Sequence, residues 1–225
     1  MRVTERRLAE HTAYETPYFV IEAERGGPAF LITAGIHGNE RASVRAAEKL
    51  TRMFGDGTLH LRRGTLLIVP VANRKAYRER VRGVPDLNRR FPRRRGESAS
   101  HPLAAAIFRL AKRAKPRWVL DLHEANGLSS LDPRRIGQCL LTDPDNRAVP
   151  AVKRIVRNAN RAISRKKNRF TVRLREKPGS SRTAAARLLR ARAVTVETSW
   201  DLPFSSRVNY QTDMVRQFLS EAGMC

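Results

Sequence analysis

Short apolar segments alternate with longer amphipathic segments along this chain. Apolar runs bounded by glycine, proline or polar residues predict strands at residues 18–21, 29–34, 65–71, 118–122, 137–141 and 193–196. Apolar residues at helical spacing predict helices at residues 40–54, 102–115, 149–163, 181–190 and 207–222. Strands that alternate with helices imply an α/β sandwich around a mostly parallel sheet.

One segment carries neither pattern. Residues 73–100 are polar and irregular, and they are longer than an ordinary connection between a strand and a helix. Loops of this length are usually functional or disordered. We therefore predict a long loop here, and its pattern alone does not decide between a functional and a disordered segment.

Polar side chains stand where three of the predicted strands end. His37 and Glu40 follow the strand at 29–34, His123 follows the strand at 118–122, and Glu197 directly follows the last strand. Ligands of open α/β sheets bind beyond the carboxyl ends of the strands. These four side chains should therefore meet at one edge of the sheet.

An imidazole and a carboxylate three residues apart can face one ion when they lie on a strand-to-helix turn. His37 and Glu40 have this spacing, and His123 would complete a set of two histidines and one glutamate. Such a set suits a catalytic zinc ion that keeps its fourth position open. The spacing alone is common, so the prediction of one zinc ion per chain rests on the shared sheet edge.

Composition limits the class of protein. The 225 residues, 41% of them hydrophobic, suffice for one globular domain with a packed core. No apolar run is long enough to span a membrane, and no apolar stretch follows the basic N-terminus. Cys139 and Cys225 do not suggest a disulfide framework. We predict a cytoplasmic protein that does not associate with membranes.

The formal net charge of +24 favours anionic partners. The basic residues are spread along most of the chain, and aromatic residues, at 6%, do not interleave with them. A surface that stacks single-stranded bases is therefore not indicated. Nucleic acid remains an alternative partner that the sequence does not favour, and nothing indicates an oligomeric state.

Four motifs occur in an order that resembles a known family. They are Gly-Ile-His-Gly-Asn-Glu at 35–40, Asp-Leu-Asn-Arg-Arg-Phe-Pro at 86–92, Asp-Leu-His at 121–123 and Val-Glu-Thr at 196–198. The chain resembles the zinc carboxypeptidase superfamily, and most of all its succinylglutamate desuccinylase/aspartoacylase branch. The resemblance implies a three-layer α/β sandwich with a mixed, mostly parallel central sheet.

The resemblance also implies roles around the metal. His37, Glu40 and His123 match the zinc ligands, and Asp86 matches a carboxylate that orients a ligand histidine. Glu197 matches the general base that takes a proton from water and returns it to the leaving amine.

Other positions match residues that contact the substrate. Asn88 and Arg89 match the pair that holds a substrate carboxylate, and Arg82 matches the arginine that polarises the scissile carbonyl. The spacing before Asp86 is one residue shorter than in aspartoacylase, so Arg80 remains an alternative to Arg82. The family also has a tyrosine or arginine upstream of the catalytic glutamate, for which Arg175, Arg182 and Arg187 are equal candidates.

The resemblance implies a zinc-dependent hydrolase that cleaves an amide bond in a small carboxylate-bearing substrate. An N-acyl amino acid deacylase is the leading interpretation. A metallocarboxypeptidase acting on peptides is the alternative, and a polyanion-binding protein on a hydrolase scaffold is a second one. Few residues follow Glu197, so we expect a single catalytic domain at 1–225 without the C-terminal β domain of aspartoacylase-type proteins.

Overall fold

The computed structural model describes all 225 residues, which form eight strands and six helices. The strands are β1 (Arg2–Leu8), β2 (Thr16–Glu22), β3 (Ala29–Ala34), β4 (Thr65–Val69), β5 (Trp118–Ala125), β6 (Cys139–Thr142), β7 (Thr171–Leu174) and β8 (Arg192–Ser199). The helices are α1 (Arg41–Gly55), α2 (Arg74–Glu79), α3 (Pro102–Ala114), α4 (Val149–Arg161), α5 (Ser181–Leu189) and α6 (Phe204–Glu221). No helix is both long enough and apolar enough to cross a membrane.

The strands form one mixed sheet in the order β1-β2-β4-β3-β5-β8-β6-β7. The central strands β4, β3, β5 and β8 run parallel, whereas β1 pairs with β2, β2 with β4, and β6 with β8 in antiparallel fashion. β7 runs parallel to β6. The predicted mixed, mostly parallel α/β sheet is confirmed.

Helices cover both faces of the sheet. On one face α1, α4 and α6 enclose an apolar core that includes Trp118 and Phe218. On the other face α3 and α5 enclose a second core that includes Leu31 and Val119. Burial of apolar surface on both faces explains why the central strands are almost continuously hydrophobic. This confirms the three-layer arrangement.

The sequence pattern missed three elements, and two of them are edge strands. β1 is charged on both faces and mostly exposed, and β7 has no buried residue. Neither shows the apolar alternation that marks a half-buried strand. Charged edge strands also limit pairing with other chains.

The predicted loop at 73–100 contains the third missed element, the helix α2. The Asn73 side chain caps α2 by accepting a hydrogen bond from the Ala76 amide at 3.1 Å. A single 3-10 turn follows at Leu87–Arg89. The rest of the segment has no regular structure, so the prediction of a long loop was wrong for α2 and correct for most of the remainder.

Candidate active site and metal centre

The strand register brings the polar residues of β5 and β8 side by side. His123 pairs with Glu197 and Asp121 pairs with Thr195 in the parallel ladder between these strands. Paired residues of neighbouring strands point to the same face of a sheet, and so do residues two apart on one strand. Asp121, His123 and Glu197 therefore project from one face at the carboxyl end of the sheet.

The turn between β3 and α1 carries His37 and Glu40 to the same edge. Gly35 has a φ of +65°, a left-handed conformation that favours glycine. A side chain on Gly38 would collide with the backbone of Ala76 in α2. The missed helix α2 thus packs directly on this turn, and the two glycines let the chain make the tight approach.

Glu40 lies at the centre of the cluster. One of its carboxylate oxygens is 2.6 Å from Nδ1 of His37 and the other is 2.7 Å from Nδ1 of His123. All three side chains are buried, and their ligand atoms lie within 4.8 Å of one another. This is the one group of three or more histidine, cysteine or carboxylate side chains in the chain with metal-site spacing.

The outer nitrogen of each imidazole, Nε2, points away from Glu40 and faces a second carboxylate. Nε2 of His37 is 3.0 Å from Oδ1 of Asp86, and Nε2 of His123 is 3.0 Å from Oδ2 of Asp121. A carboxylate in this position fixes the orientation and tautomer of a metal-ligating histidine. Asp121 is held in turn by Thr33, whose hydroxyl donates to its Oδ1 at 2.7 Å.

The chemistry of this donor set fits a divalent metal. Burial acts to raise the pKa of Glu40, but His123 and His37 outweigh it and lower the pKa to about 2, so the carboxylate is ionised at neutral pH. The pKa of Asp86 is likewise lowered, because hydrogen bonds from His37 and Arg82 outweigh its burial. The Nδ1 atoms of His37 and His123 face the same carboxylate, on Glu40. One ion placed between them could therefore be bound by all three side chains.

Glu197 borders the cluster without a partner. Its side chain is buried, and its Oε2 makes no hydrogen bond. Burial, reinforced by the nearby Glu40, raises the pKa of Glu197 to about 8. The surroundings of the two buried carboxylates therefore shift their pKa values in opposite directions, as is common for carboxylates with different roles in one site.

The two arginines proposed for the scissile carbonyl lie in different places. Arg82 donates to Oδ2 of Asp86 at 3.0 Å and lies 3.7 Å from Glu40, on the wall of the cavity at the cluster. Arg80 ends α2 in a left-handed conformation, is exposed, and does not line that cavity. The geometry favours Arg82 over Arg80.

A second cavity of about 200 Å³ adjoins the first. Asn88 and Glu197 lie on the walls of both cavities, and Arg89 lines the second. Asn88 is buried and fixed, because its side-chain oxygen accepts a hydrogen bond from the Ser181 amide at 3.1 Å. Arg89 is 59% exposed and its nearest carboxylate oxygen, on Asp86, is 3.9 Å away. Its guanidinium is thus free to bind a ligand.

The three candidate arginines upstream of Glu197 occupy different positions in the structure. Arg182 is buried against Asp143 and also donates to the carbonyl oxygen of Arg175, so it supports the cavity wall. Arg187 pairs with Glu176 on the surface, away from both cavities. Arg175 is exposed at the rim of the second cavity.

Sequence reasoning missed Lys177, which lines both cavities. It has no carboxylate within ion-pair distance. Burial, followed by the positive charge of Arg89, lowers the pKa of Lys177. No motif marks this lysine, because the loop between β7 and α5 alone brings it to the site. Asp121 was also missed as an orienting group, although its position two residues before His123 on a strand could have revealed it.

A comparison with known families decides where the chain belongs. The profile described as the succinylglutamate desuccinylase/aspartoacylase catalytic domain matches residues 26–217. The chain belongs to the succinylglutamate desuccinylase/aspartoacylase family. The matched region includes every residue of the site described above.

Individual family members are similar over part of their length. The succinylglutamate desuccinylase of Photorhabdus laumondii is 32% identical over 147 residues, which are 54% of this chain and 44% of that protein. The succinylglutamate desuccinylase of Paraburkholderia xenovorans is 36% identical over 121 residues, which are 48% of this chain and 35% of that protein. The chain thus spans less than half the length of these relatives.

Solved structures share the fold. Csd4 of Helicobacter pylori, a D,L-carboxypeptidase, superposes with a TM-score of 0.72 at 22% identity, over 88% of this chain and 52% of that one. A succinylglutamate desuccinylase from a Silicibacter species superposes with a TM-score of 0.70 at 18% identity, over 99% of this chain and 67% of that one. At these identities the likeness concerns the fold of this family.

Proposed function

We propose that this chain is the catalytic domain of a zinc-dependent hydrolase that releases an acyl group from an N-acyl amino acid. The observation that carries the proposal is the arrangement around Glu40. The inner nitrogens of His37 and His123 face its two oxygens, and their outer nitrogens face Asp86 and Asp121. Ligands oriented by second carboxylates are typical of catalytic zinc sites in proteins.

His37, Glu40 and His123 would hold the ion. Bound zinc would act as a Lewis acid and lower the pKa of a water molecule to about 7. Glu197 would then accept a proton from the attacking water and transfer it to the leaving amine, which departs as the amide C–N bond breaks. Arg82 would stabilise the negative charge that develops on the carbonyl oxygen.

The size and the charge of the second cavity favour a small anionic leaving group. Its volume of about 200 Å³ is below that of pockets for drug-sized ligands and suits a single amino acid. Asn88 and Arg89 would bind the carboxylate of that amino acid, and Lys177 adds a further positive charge beside them. Cations without anionic partners favour a negatively charged occupant.

Activity assays separate the proposal from its alternative. We expect the zinc-loaded protein to release acetate or succinate from acyl amino acids and to act poorly on short peptides with a free carboxyl end. Faster release of the last residue from peptides would instead make the protein a carboxypeptidase. Absence of both activities in zinc-loaded protein would contradict the proposed function.

Replacing Lys177 by Met should weaken substrate binding. The methionine keeps the unbranched shape but removes the charge, and a hydrogen bond to a charged group contributes about 1.5–3 kcal/mol. We therefore expect KM to rise by about tenfold or more while kcat changes little. Lys75→Met, at an exposed position on α2, is the matched control. An unchanged KM in Lys177→Met would remove this lysine from the substrate site.

Replacing Asp121 by Asn should weaken metal binding. The amide keeps the size of the side chain but loses the charge that orients His123, and such changes typically cost 10–100-fold in metal affinity. Competition with a chelator would measure the Kd for zinc, with the exposed Asp213→Asn as the control. Equal affinities in two folded variants would show that Asp121 has a structural role alone.

A further inference from the structure

A long segment between β6 and α5 carries no acidic residue. Residues 146–175 contain eleven arginines and lysines and no aspartate or glutamate. The segment includes α4, the turn at residues 165–169 and the edge strand β7. The positive charge of the chain is spread over most of its length, but no other segment of this length lacks aspartate and glutamate.

The structure places three of these cations on the exposed face of α4. The inner face of α4, with Val152, Ile155 and Val156, is buried in the core. On its outer face the residues Lys153, Arg157 and Arg161 are spaced one turn apart, and all three are exposed. Three further exposed cations, Arg165, Lys166 and Lys167, follow the end of the helix in the next turn.

These cations are not neutralised by neighbouring elements. On α4 the one ion pair joins Arg154 to Glu221 of α6, and the nearby Asp213 pairs with Arg216. Lys153, Arg157 and Arg161 have no carboxylate within 4.0 Å, and neither do the three cations of the turn. The six side chains are defined here as the α4 basic face.

Two features indicate the kind of partner that fits. The α4 basic face has no exposed large hydrophobic side chain that could stack on bases or insert into lipid. Three of its cations, Lys153, Arg157 and Arg161, form a row along α4 that spans about 12 Å, by the helical rise of 1.5 Å per residue. A row of this kind matches the regular, dense phosphate charge of a nucleic-acid duplex.

We propose that the α4 basic face binds the phosphate backbone of duplex nucleic acid without reading its sequence. The binding is independent of the proposed hydrolase activity, since none of the six cations lines either cavity of the active site.

The test compares two triple variants with equal changes in net charge. The first, K153Q/R157Q/R161Q, neutralises three cations of the α4 basic face. The second, R109Q/K112Q/R113Q, neutralises three exposed cations of α3, which covers the opposite face of the sheet. Fluorescence anisotropy with a labelled DNA duplex of about 20 base pairs, over a series of salt concentrations, gives the Kd and its salt dependence. Circular dichroism and thermal melts verify that both variants are folded.

We expect the first variant to bind at least tenfold more weakly than the wild type. The slope of log K against log salt should fall by about 2.7, which corresponds to three phosphate contacts. The second variant should retain most of the affinity and the slope. Equal weakening in both variants would assign the binding to net charge and overturn the proposal. It would also be overturned by an absence of duplex binding at low salt, or by preferential binding to vesicles of anionic phospholipid.

Discussion

Replacing Glu197 by Gln is expected to lower kcat by about 10²-fold or more while zinc remains bound. Glutamine keeps the size and hydrogen-bonding capacity of the side chain but cannot accept the proton of the attacking water. Glu197 contacts none of the three proposed ligands through a hydrogen bond, so the metal site should be unaffected. Measurement of kcat together with the zinc content of each preparation checks both halves of this expectation.

Near-normal turnover in zinc-loaded Glu197→Gln would assign the proton transfer to another group. Glu124 is the remaining buried carboxylate on the wall of the metal cavity. In the structure it pairs with Arg207 and accepts a hydrogen bond from the Ala42 amide at 2.7 Å. These contacts anchor α1 and α6 to β5, so a substitution of Glu124 should lower the thermal stability of the protein.

Replacing Arg82 or Arg89 by Ala is expected to change different kinetic parameters. An oxyanion partner acts as charge develops, so Arg82→Ala should lower kcat by about 10²–10³-fold. A carboxylate that is bound alike in the ground state and the transition state contributes uniform binding, so Arg89→Ala should mainly raise KM. The lost bidentate contact is worth roughly 1.5–3 kcal/mol, or about 10- to 150-fold in KM.

The substrate provides the matched control for Arg89. Converting the carboxylate of the leaving amino acid to an amide should strongly raise the KM of the wild type and hardly change the KM of Arg89→Ala. If the change from acid to amide alters KM equally in both proteins, Arg89 does not contact that carboxylate. In that case the proposed substrate class would lose its main support, whereas the metal site would be unaffected.

The convergence of the site residues could be predicted because it depends on local rules. His37 follows β3, whereas His123 and Glu197 lie near the ends of β5 and β8, and the parallel order of these strands brings their carboxyl ends together. The segment at 86–92 could be placed near them by resemblance alone. The helix α2 precedes it in the chain and packs against Gly38, and no hydrophobic pattern indicated this helix.

The missed residues depend on contacts between distant parts of the chain. Lys177 reaches the cavities because Arg182, which is buried and paired with Asp143, holds the loop before α5 through the carbonyl of Arg175. Neither the burial of Arg182 nor its partner can be read from spacing. The edge strands β1 and β7 were missed for a different reason: neither buries an apolar face, so neither carries the periodic signal.

The zinc content of the purified protein tests the central claim most directly. Metal analysis of the wild type, His123→Ala and the control His60→Ala, after zinc loading and removal of free metal, gives the number of ions per chain. His60 is exposed and lies outside the metal cluster. The proposed site predicts about one zinc per chain in the wild type and in His60→Ala, and little in His123→Ala. Near-stoichiometric zinc in His123→Ala, or a wild type that retains none, would contradict it.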